Sequence, residues 1–193
     1  MKFSRLLLST VITPVSIFTL VACGSSDDDS DNITPPDTER TDVLLFDEAT
    51  DSDIINDPNN PQFLQLATGG NRINGTVVSP DLDYITINVP AGSELTAIEL
   101  IEYVSEDDAS FIGMQTGSVF TELPEGAAPG NLFGFVLFGT ALVGGDILEA
   151  MGSGEGAQGF TPPLEAGDYS FWIQETGDAP ANYSLSFVVE ETN

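Results

Sequence analysis

Histidine is absent from this 193-residue chain, cysteine occurs once, and lysine and arginine together occur four times. Without an imidazole, the sequence excludes catalysis in which histidine acts as the base. A single cysteine excludes an internal disulfide and a cysteine metal cluster. The four basic residues stand against 31 Asp and Glu, which gives a net charge of −27. Nucleic acids and anionic membrane surfaces attract clustered Lys and Arg, so both are excluded as electrostatic partners.

The N-terminal segment has the pattern of a secretory signal peptide. Lys2 and Arg5 precede a largely apolar stretch at residues 6–22, which is short for a membrane span and is interrupted by Pro14. Its end, Leu20-Val21-Ala22-Cys23, resembles the lipobox of bacterial lipoproteins, in which the peptide is cut before the cysteine and the thiol receives a diacylglycerol.

We therefore expect residues 1–22 to be a lipoprotein signal peptide and Cys23 to be lipidated. Two or more acyl chains anchor a protein stably, so the expected location is the cell envelope, with the membrane reached through the N-terminal lipid. The alternative is an ordinary signal peptide that happens to contain a cysteine. Gly24 stands where an aspartate would favour the inner membrane, so in a Gram-negative cell the outer membrane is predicted.

Three segments follow from the composition: the signal peptide at 1–22, an acidic linker at 23–42 and a folded domain at 43–193. The linker is rich in Asp and Ser and has almost no aliphatic side chains, which predicts disorder. About 150 residues are enough for one domain with its own core. The large excess of carboxylates predicts saline surroundings, where salt screens their repulsion.

Apolar residues alternate with polar ones along much of the folded domain. This period of two predicts strands at residues 73–78, 84–89, 111–115, 169–174 and 183–189. The last two are separated by a short turn, which predicts that they pair as an antiparallel hairpin. Many short strands between Gly- and Pro-rich turns predict an all-β protein, an antiparallel β-sandwich of jelly-roll type.

Four further segments are less regular. Residues 132–138 are apolar in both phases, which predicts a central strand covered on both faces. Residues 95–104 fit either a strand with a bulge or a short helix. Residues 146–151 form the other helical candidate, and residues 43–46 fit a short strand or a docking segment.

The sequence from 83 to 92, DYITINVPAG, resembles a strand and turn of bacterial pre-peptidase C-terminal (PPC) domains. Residues 164–173, LEAGDYSFWI, and 183–187, YSLSF, resemble two later strands of that family in the same order. The resemblance implies a β-sandwich without catalytic residues that acts as a binding or accessory module on secreted proteins. It also implies calcium as a ligand, since collagen-binding relatives hold calcium.

Acidic side chains in two separate segments are the candidate calcium ligands. The first segment precedes an early strand and the second precedes the strand at 84–89, and carboxylate and amide oxygens suit Ca²⁺. The sequence has no D-x-[DN]-x-[DN]-G loop, and the alternative is a solvated acidic surface. The candidate ligands are Asp53, Asn56, Asp57, Asp81 and Asp83.

Other patterns give weaker indications of chemistry. Residues 154–159 match G-x-G-x-x-G, but the sequence predicts no strand directly before them and no helix after them, which favours a turn. The pairs Glu99/Glu102 and Glu122/Glu125 have the residue types of a carboxylate-based hydrolase, with nothing that aims them into one cleft. The sequence therefore predicts a protein that is not an enzyme.

Trp172 alternates with Tyr169, Phe171 and Ile173, so it faces the opposite side of its strand. An exposed tryptophan could stack on a sugar or contact a protein, whereas burial is the interpretation that we favour. Trp172 is the candidate ligand-binding residue. The predicted function is a binding or accessory module, with an extracellular protein or a glycan as the partner and an adhesion-type or carbohydrate-binding surface as the alternative.

Overall fold

The computed structural model describes residues 41–192, which lie in one compact unit, Glu39–Asn193. The predicted signal peptide, Cys23 and all but the last two residues of the predicted linker lie outside the described residues. Within residues 41–192, no helix is long and apolar enough to cross a membrane. The described residues form two β-sheets, as the period-two pattern predicts.

The two sheets pack face to face as an all-β sandwich. The four-stranded sheet has the spatial order β1 (Val43–Asp47), β3 (Gly69–Val77), β9 (Ala181–Glu191) and β5 (Ser93–Val104). The five-stranded sheet has the order β2 (Gln62–Gln65), β4 (Asp83–Val89), β8 (Gly167–Glu175), β6 (Ser110–Thr116) and β7 (Gly134–Phe138). The pairs are antiparallel except at one edge of each sheet, where β1 runs parallel to β3 and β2 parallel to β4.

The core lies between the sheets because each strand turns one apolar face inward. Ile85 and Ile87 of β4, Phe171 of β8, and Leu185 and Phe187 of β9 are all fully buried in one cluster. The rings of Phe171 and Phe187 meet edge to face across the two sheets, with centroids 5.5 Å apart. Full burial of side chains of this size stabilises the fold by about 1.5–3 kcal/mol each.

The predicted hairpin of the last two strands is wrong. β8 lies between β4 and β6 in one sheet, and β9 lies between β3 and β5 in the other. The turn at residues 176–180 therefore crosses from sheet to sheet. Both strands carry an inward apolar face, and placing them in opposite sheets buries the two faces against each other.

The prediction that residues 132–138 form a central strand is also wrong. β7 is the edge strand beside β6, and its residue Leu137 is 57% exposed. The apolar side chains of β7 that point away from the core do not face a third layer of secondary structure. Phe135 instead packs beside a small cluster on the outer face of the sheet.

The bulged-strand alternative for residues 95–104 is confirmed. β5 pairs with β9 along its whole length, and the register shifts between Leu95 and Ala97 and again between Leu100 and Glu102. The helical candidate at 146–151 corresponds to the short helix α1 (Leu148–Gly152). Asp146 precedes it and accepts hydrogen bonds from the backbone N–H groups of Leu148 and Ile98, so it also fastens the free edge of β5.

Candidate functional site

A loop covers part of the outer face of the five-stranded sheet. This covering loop, residues 117–133, connects β6 to β7 and is fastened at both ends. Near its start, Thr86 and Ser170 donate hydroxyl hydrogen bonds of 3.0 and 2.9 Å to the carbonyl oxygens of Ser118 and Val119. Near its end, the amide of Gln115 donates to the Asn131 carbonyl at 3.0 Å. The loop is therefore held in place by the side chains of three neighbouring strands.

A second, smaller hydrophobic cluster lies beneath the covering loop. It contains Tyr84, Phe120, Leu132 and Trp172, all buried. Phe120 comes from the loop, and its ring centroid lies 5.9 Å from those of both Tyr84 and Trp172. Burial raises the pKa of Tyr84 to about 12, and the nearby charge of Glu125 acts in the same direction. Tyr84 is therefore a neutral phenol at physiological pH.

Trp172 lies where alternation predicts, on the outer face of β8, and the preference for burial is confirmed. Its side chain is 4% exposed. Phe111 lies against its ring, with centroids 4.8 Å apart, and Gly113 on the paired strand leaves space beside it. The indole Nε1 has no hydrogen-bond partner among the described residues. Since the ring is covered, Trp172 does not present an open face on which a sugar could stack.

An aromatic groove opens beside the buried tryptophan. It has a volume of about 240 Å³, and its floor and walls come from β6, β7, β8 and the covering loop. Phe111 and Phe135 are only partly buried there, and their rings stack with centroids 5.9 Å apart. The lining residues are Phe111, Pro124, Ala127, Pro129, Leu132, Phe135, Trp172 and Gln174.

Sequence reasoning identified Trp172 but missed Phe111 and Phe135. Both lie in the phase opposite to buried Ile112 and partly buried Val136, so the strands carry apolar residues on both faces. This double-sided pattern is a signal that could have located the groove. In residues 132–138 the same pattern predicts a central strand, and the structure corrects that prediction.

An acidic group lies at one end of the sandwich, where Asp83 is fully buried and faces the core. Tyr183 on β9 donates a hydrogen bond of 2.5 Å to Oδ2 of Asp83, whereas Oδ1 has no partner among the described residues. The carboxylates of Glu48, Asp53 and Asp81 all act electrostatically on Asp83.

The environment of Asp83 favours its neutral form. Burial is the largest cause and raises the pKa of Asp83 to about 9, the Tyr183 hydrogen bond lowers it, and the charges of Glu48, Asp81 and Asp53 raise it. Burial, followed by the charge of Asp83, raises the pKa of Tyr183 well above its ordinary value. At neutral pH the pair is therefore an uncharged acid and an uncharged phenol that link the two sheets.

Glu48 holds the loops around this end of the sandwich. Its two carboxylate oxygens accept backbone hydrogen bonds from Ile54 at 2.7 Å and from Thr76 at 2.5 Å. Burial raises the pKa of Glu48, and these two bonds lower it. Glu48 therefore joins the segment after β1 to strand β3 and is not free to rotate towards a ligand.

The structure brings together only some of the candidate calcium ligands. The Asn56 amide donates to Asp81 at 2.8 Å, and its carbonyl accepts from the backbone of Leu82 at 2.7 Å. Asp57 instead accepts the backbone N–H of Asn59 in its own turn. Among residues 41–192, no group of three or more acidic side chains is arranged to hold a metal ion.

Because Asp83 is neutral and the Asn56 side chain is already bonded, we expect calcium to have little effect on stability. The expected result is that 2 mM CaCl₂ changes the melting temperature no more than 2 mM MgCl₂, measured by differential scanning fluorimetry. A tightly bound ion would stabilise by about 2.7 kcal/mol at a concentration 100 times its Kd. A calcium-specific rise that Asp81→Asn removes would contradict this expectation.

The remaining motifs have structural roles or exposed positions. Residues 154–159 form a turn after α1, with positive φ at Gly156 and Gly159. Glu122 accepts hydrogen bonds from Asn131 and Ala128 within the covering loop. Glu99 and Glu102 lie on the bulged strand β5.

Comparison of the chain with protein-family models, curated proteins and solved structures finds no match.

Proposed function

We propose that this protein is a non-enzymatic, lipid-anchored binding or accessory module of the bacterial cell envelope. The binding function is proposed from the aromatic groove. Phe111 and Phe135 remain partly exposed there, although the covering loop is already fixed to the sheet by hydrogen bonds. Apolar surface of this kind marks contact sites on soluble domains. The PPC-like sequence segments support an accessory role, and they map to β4, β8 and β9.

The geometry supports binding more than catalysis. Glu48 and Glu122 already accept hydrogen bonds from neighbouring backbone and side-chain groups. A binding site needs a preformed apolar surface with a few polar groups, and Gln174 is the polar residue that lines the groove. A glycan is the second candidate ligand, and the partly exposed Phe111 and Phe135 rings favour it more than covered Trp172 does.

The lipid anchor is proposed from the lipobox and is tested on Cys23. In a Gram-negative host fed radiolabelled palmitate, we expect the full-length protein to be labelled and to partition into the detergent phase of Triton X-114. Cys23→Ser should lose the label and remain in the aqueous phase, because it is the only thiol that can carry the lipid.

Gly24→Asp is the matched control for this experiment. It should keep the label, since the cysteine is unchanged, and move the protein from the outer to the inner membrane fraction. Equal labelling of the wild type and Cys23→Ser would contradict the anchor. Secretion of unlabelled wild-type protein into the medium would do the same.

A further inference from the structure

The surroundings of the aromatic groove carry charge of one sign. The covering loop contains Glu122 and Glu125 and no basic residue, and the charge of Glu125 is felt by Tyr84 beneath the loop. Glu155 lies in the turn after α1, where neighbouring Gly154 packs against Phe135. Arg72 is the only basic residue in the described part of the chain, and it lies on β3 in the other sheet. A ligand of the groove therefore meets aromatic walls and an acidic rim.

Aromatic faces beside carboxylates are suited to a cation that carries an apolar stem. The face of a phenyl ring attracts an ammonium or guanidinium group within about 6 Å of its centroid. The aliphatic stems of lysine and arginine bury well against apolar surface while their charges remain at a polar rim. A volume of about 240 Å³ accommodates one such side chain together with part of its backbone.

The groove is continued by exposed apolar residues. Leu123 and Leu137 extend the apolar surface beyond the groove, with 56% and 57% of their surfaces exposed. A ligand with apolar residues on either side of a cation would cover both.

We propose that the aromatic groove binds a cationic, partly apolar peptide segment of a partner protein, with an arginine or lysine side chain lying against the exposed surfaces of the stacked Phe111 and Phe135 rings. This inference rests on the proposed binding function of the same groove and adds the chemistry of its ligand. Electrostatic complementarity supports it, since a chain with a net charge of −27 repels acidic partners and attracts basic ones.

Trp172 is the only tryptophan in the chain, so its fluorescence reports directly on the groove. The probe is an acetylated and amidated octapeptide that alternates leucine and arginine. The comparison peptides replace arginine with glutamine, arginine with glutamate, or leucine with serine. We expect the leucine–arginine peptide to bind most tightly, the glutamine peptide at least about tenfold more weakly, and the glutamate peptide not detectably. Raising the salt concentration from about 0.05 to 0.5 M should weaken binding of the arginine peptide.

Two substitutions test the groove itself, each with a matched control. Phe111→Leu keeps an apolar side chain but removes the ring face, and we expect it to weaken binding of the arginine peptide by about fivefold. Phe63→Leu makes the same change on exposed β2, at the opposite edge of the sheet, and should have no effect. Glu125→Gln should weaken binding by about threefold, whereas Glu102→Gln on β5 should not.

The possible results distinguish a wrong class of ligand from a wrong binding function of the groove. If the glutamine peptide binds as tightly as the arginine peptide and remains sensitive to Phe111→Leu, the groove binds peptides and the cationic preference is wrong. If only a neutral oligosaccharide changes the Trp172 emission, the ligand is a glycan and the peptide proposal is wrong. Equal binding of the arginine peptide to Phe111→Leu and Phe63→Leu would show attraction to the acidic surface alone. If no probe binds, both this inference and the binding function of the groove fail.

Discussion

Replacing Asp83 with asparagine is expected to stabilise the protein at neutral pH. Burial raises the pKa of Asp83 from 3.8 to about 9, so at pH 7 the native state holds a proton that the unfolded state has released. One pKa unit corresponds to 1.36 kcal/mol, so keeping this acid protonated lowers the stability at pH 7 by up to about 4 kcal/mol. Asparagine has a similar shape and does not ionise. The melting temperature should rise by roughly 5–10 °C.

The size of this effect depends on pH in a defined way. Below pH 3.8, Asp83 is neutral in both states, and the wild type and Asp83→Asn should be equally stable. As the pH rises, the unfolded state ionises first, so the advantage of Asp83→Asn should increase by about 1.4 kcal/mol per pH unit. The advantage should become constant above about pH 9, where the native carboxyl also loses its proton.

Urea or thermal unfolding of both proteins between pH 3.5 and 9.5 measures this difference. The groups that face Asp83 are Tyr183, Glu48, Asp53 and Asp81, and all four are present in both proteins. Asp178→Asn, in the exposed turn after β8, is the control for loss of one negative charge. A less stable Asp83→Asn protein at pH 7 would contradict the conclusion that Asp83 is neutral in the native state.

Replacing Gly75 with alanine is expected to destabilise the same end of the sandwich. Gly75 on β3 pairs with Tyr183 on β9, and a Cβ atom there would lie 2.5 Å from Cζ of the Tyr183 ring and still closer to its hydroxyl. The ring is fully enclosed and cannot move without losing the hydrogen bond to Asp83. Overpacking costs about 1–3 kcal/mol, and an unpaired buried acid adds a similar amount.

We therefore expect Gly75→Ala to lower the melting temperature by roughly 5–10 °C. Gly130→Ala is the matched control, because a Cβ at that position would meet its nearest neighbour at an ordinary 3.6 Å. In a double-mutant cycle, Tyr183→Leu should remove most of the added penalty of Gly75→Ala. An unchanged melting temperature for Gly75→Ala would show that the Tyr183 ring is not held over Gly75.

Local pattern was enough to locate most of the strands. The residues of β4, β8 and β9 alternate between apolar and polar types, and a strand places successive side chains on opposite faces whatever its partner is. For the same reason, alternation placed Trp172 on the face opposite to Phe171 before any pairing was known. The irregular phase of β5 also had a local explanation, since a bulge adds one residue and reverses the faces beyond it.

The candidate site depended on contacts that no local pattern contains. From the sequence, Asp83 is a candidate calcium ligand, because carboxylate oxygens suit Ca²⁺. In the structure it is fully buried and accepts a hydrogen bond from Tyr183, which is 100 positions later and on the other sheet. Phe111 and Phe135 form a groove because the covering loop folds over Trp172 but leaves those two rings partly open.

The sequence by itself determined that the folded domain is built from strands, where most of them run, and that neither histidine nor cysteine clusters take part in its chemistry. Only the tertiary structure decided that β8 and β9 belong to different sheets, that β7 is an edge, and that Asp83 is enclosed. The physical reason is that alternation fixes which side of a strand is apolar, whereas sheet membership follows from which faces bury each other. That choice is made by contacts between residues far apart in the chain.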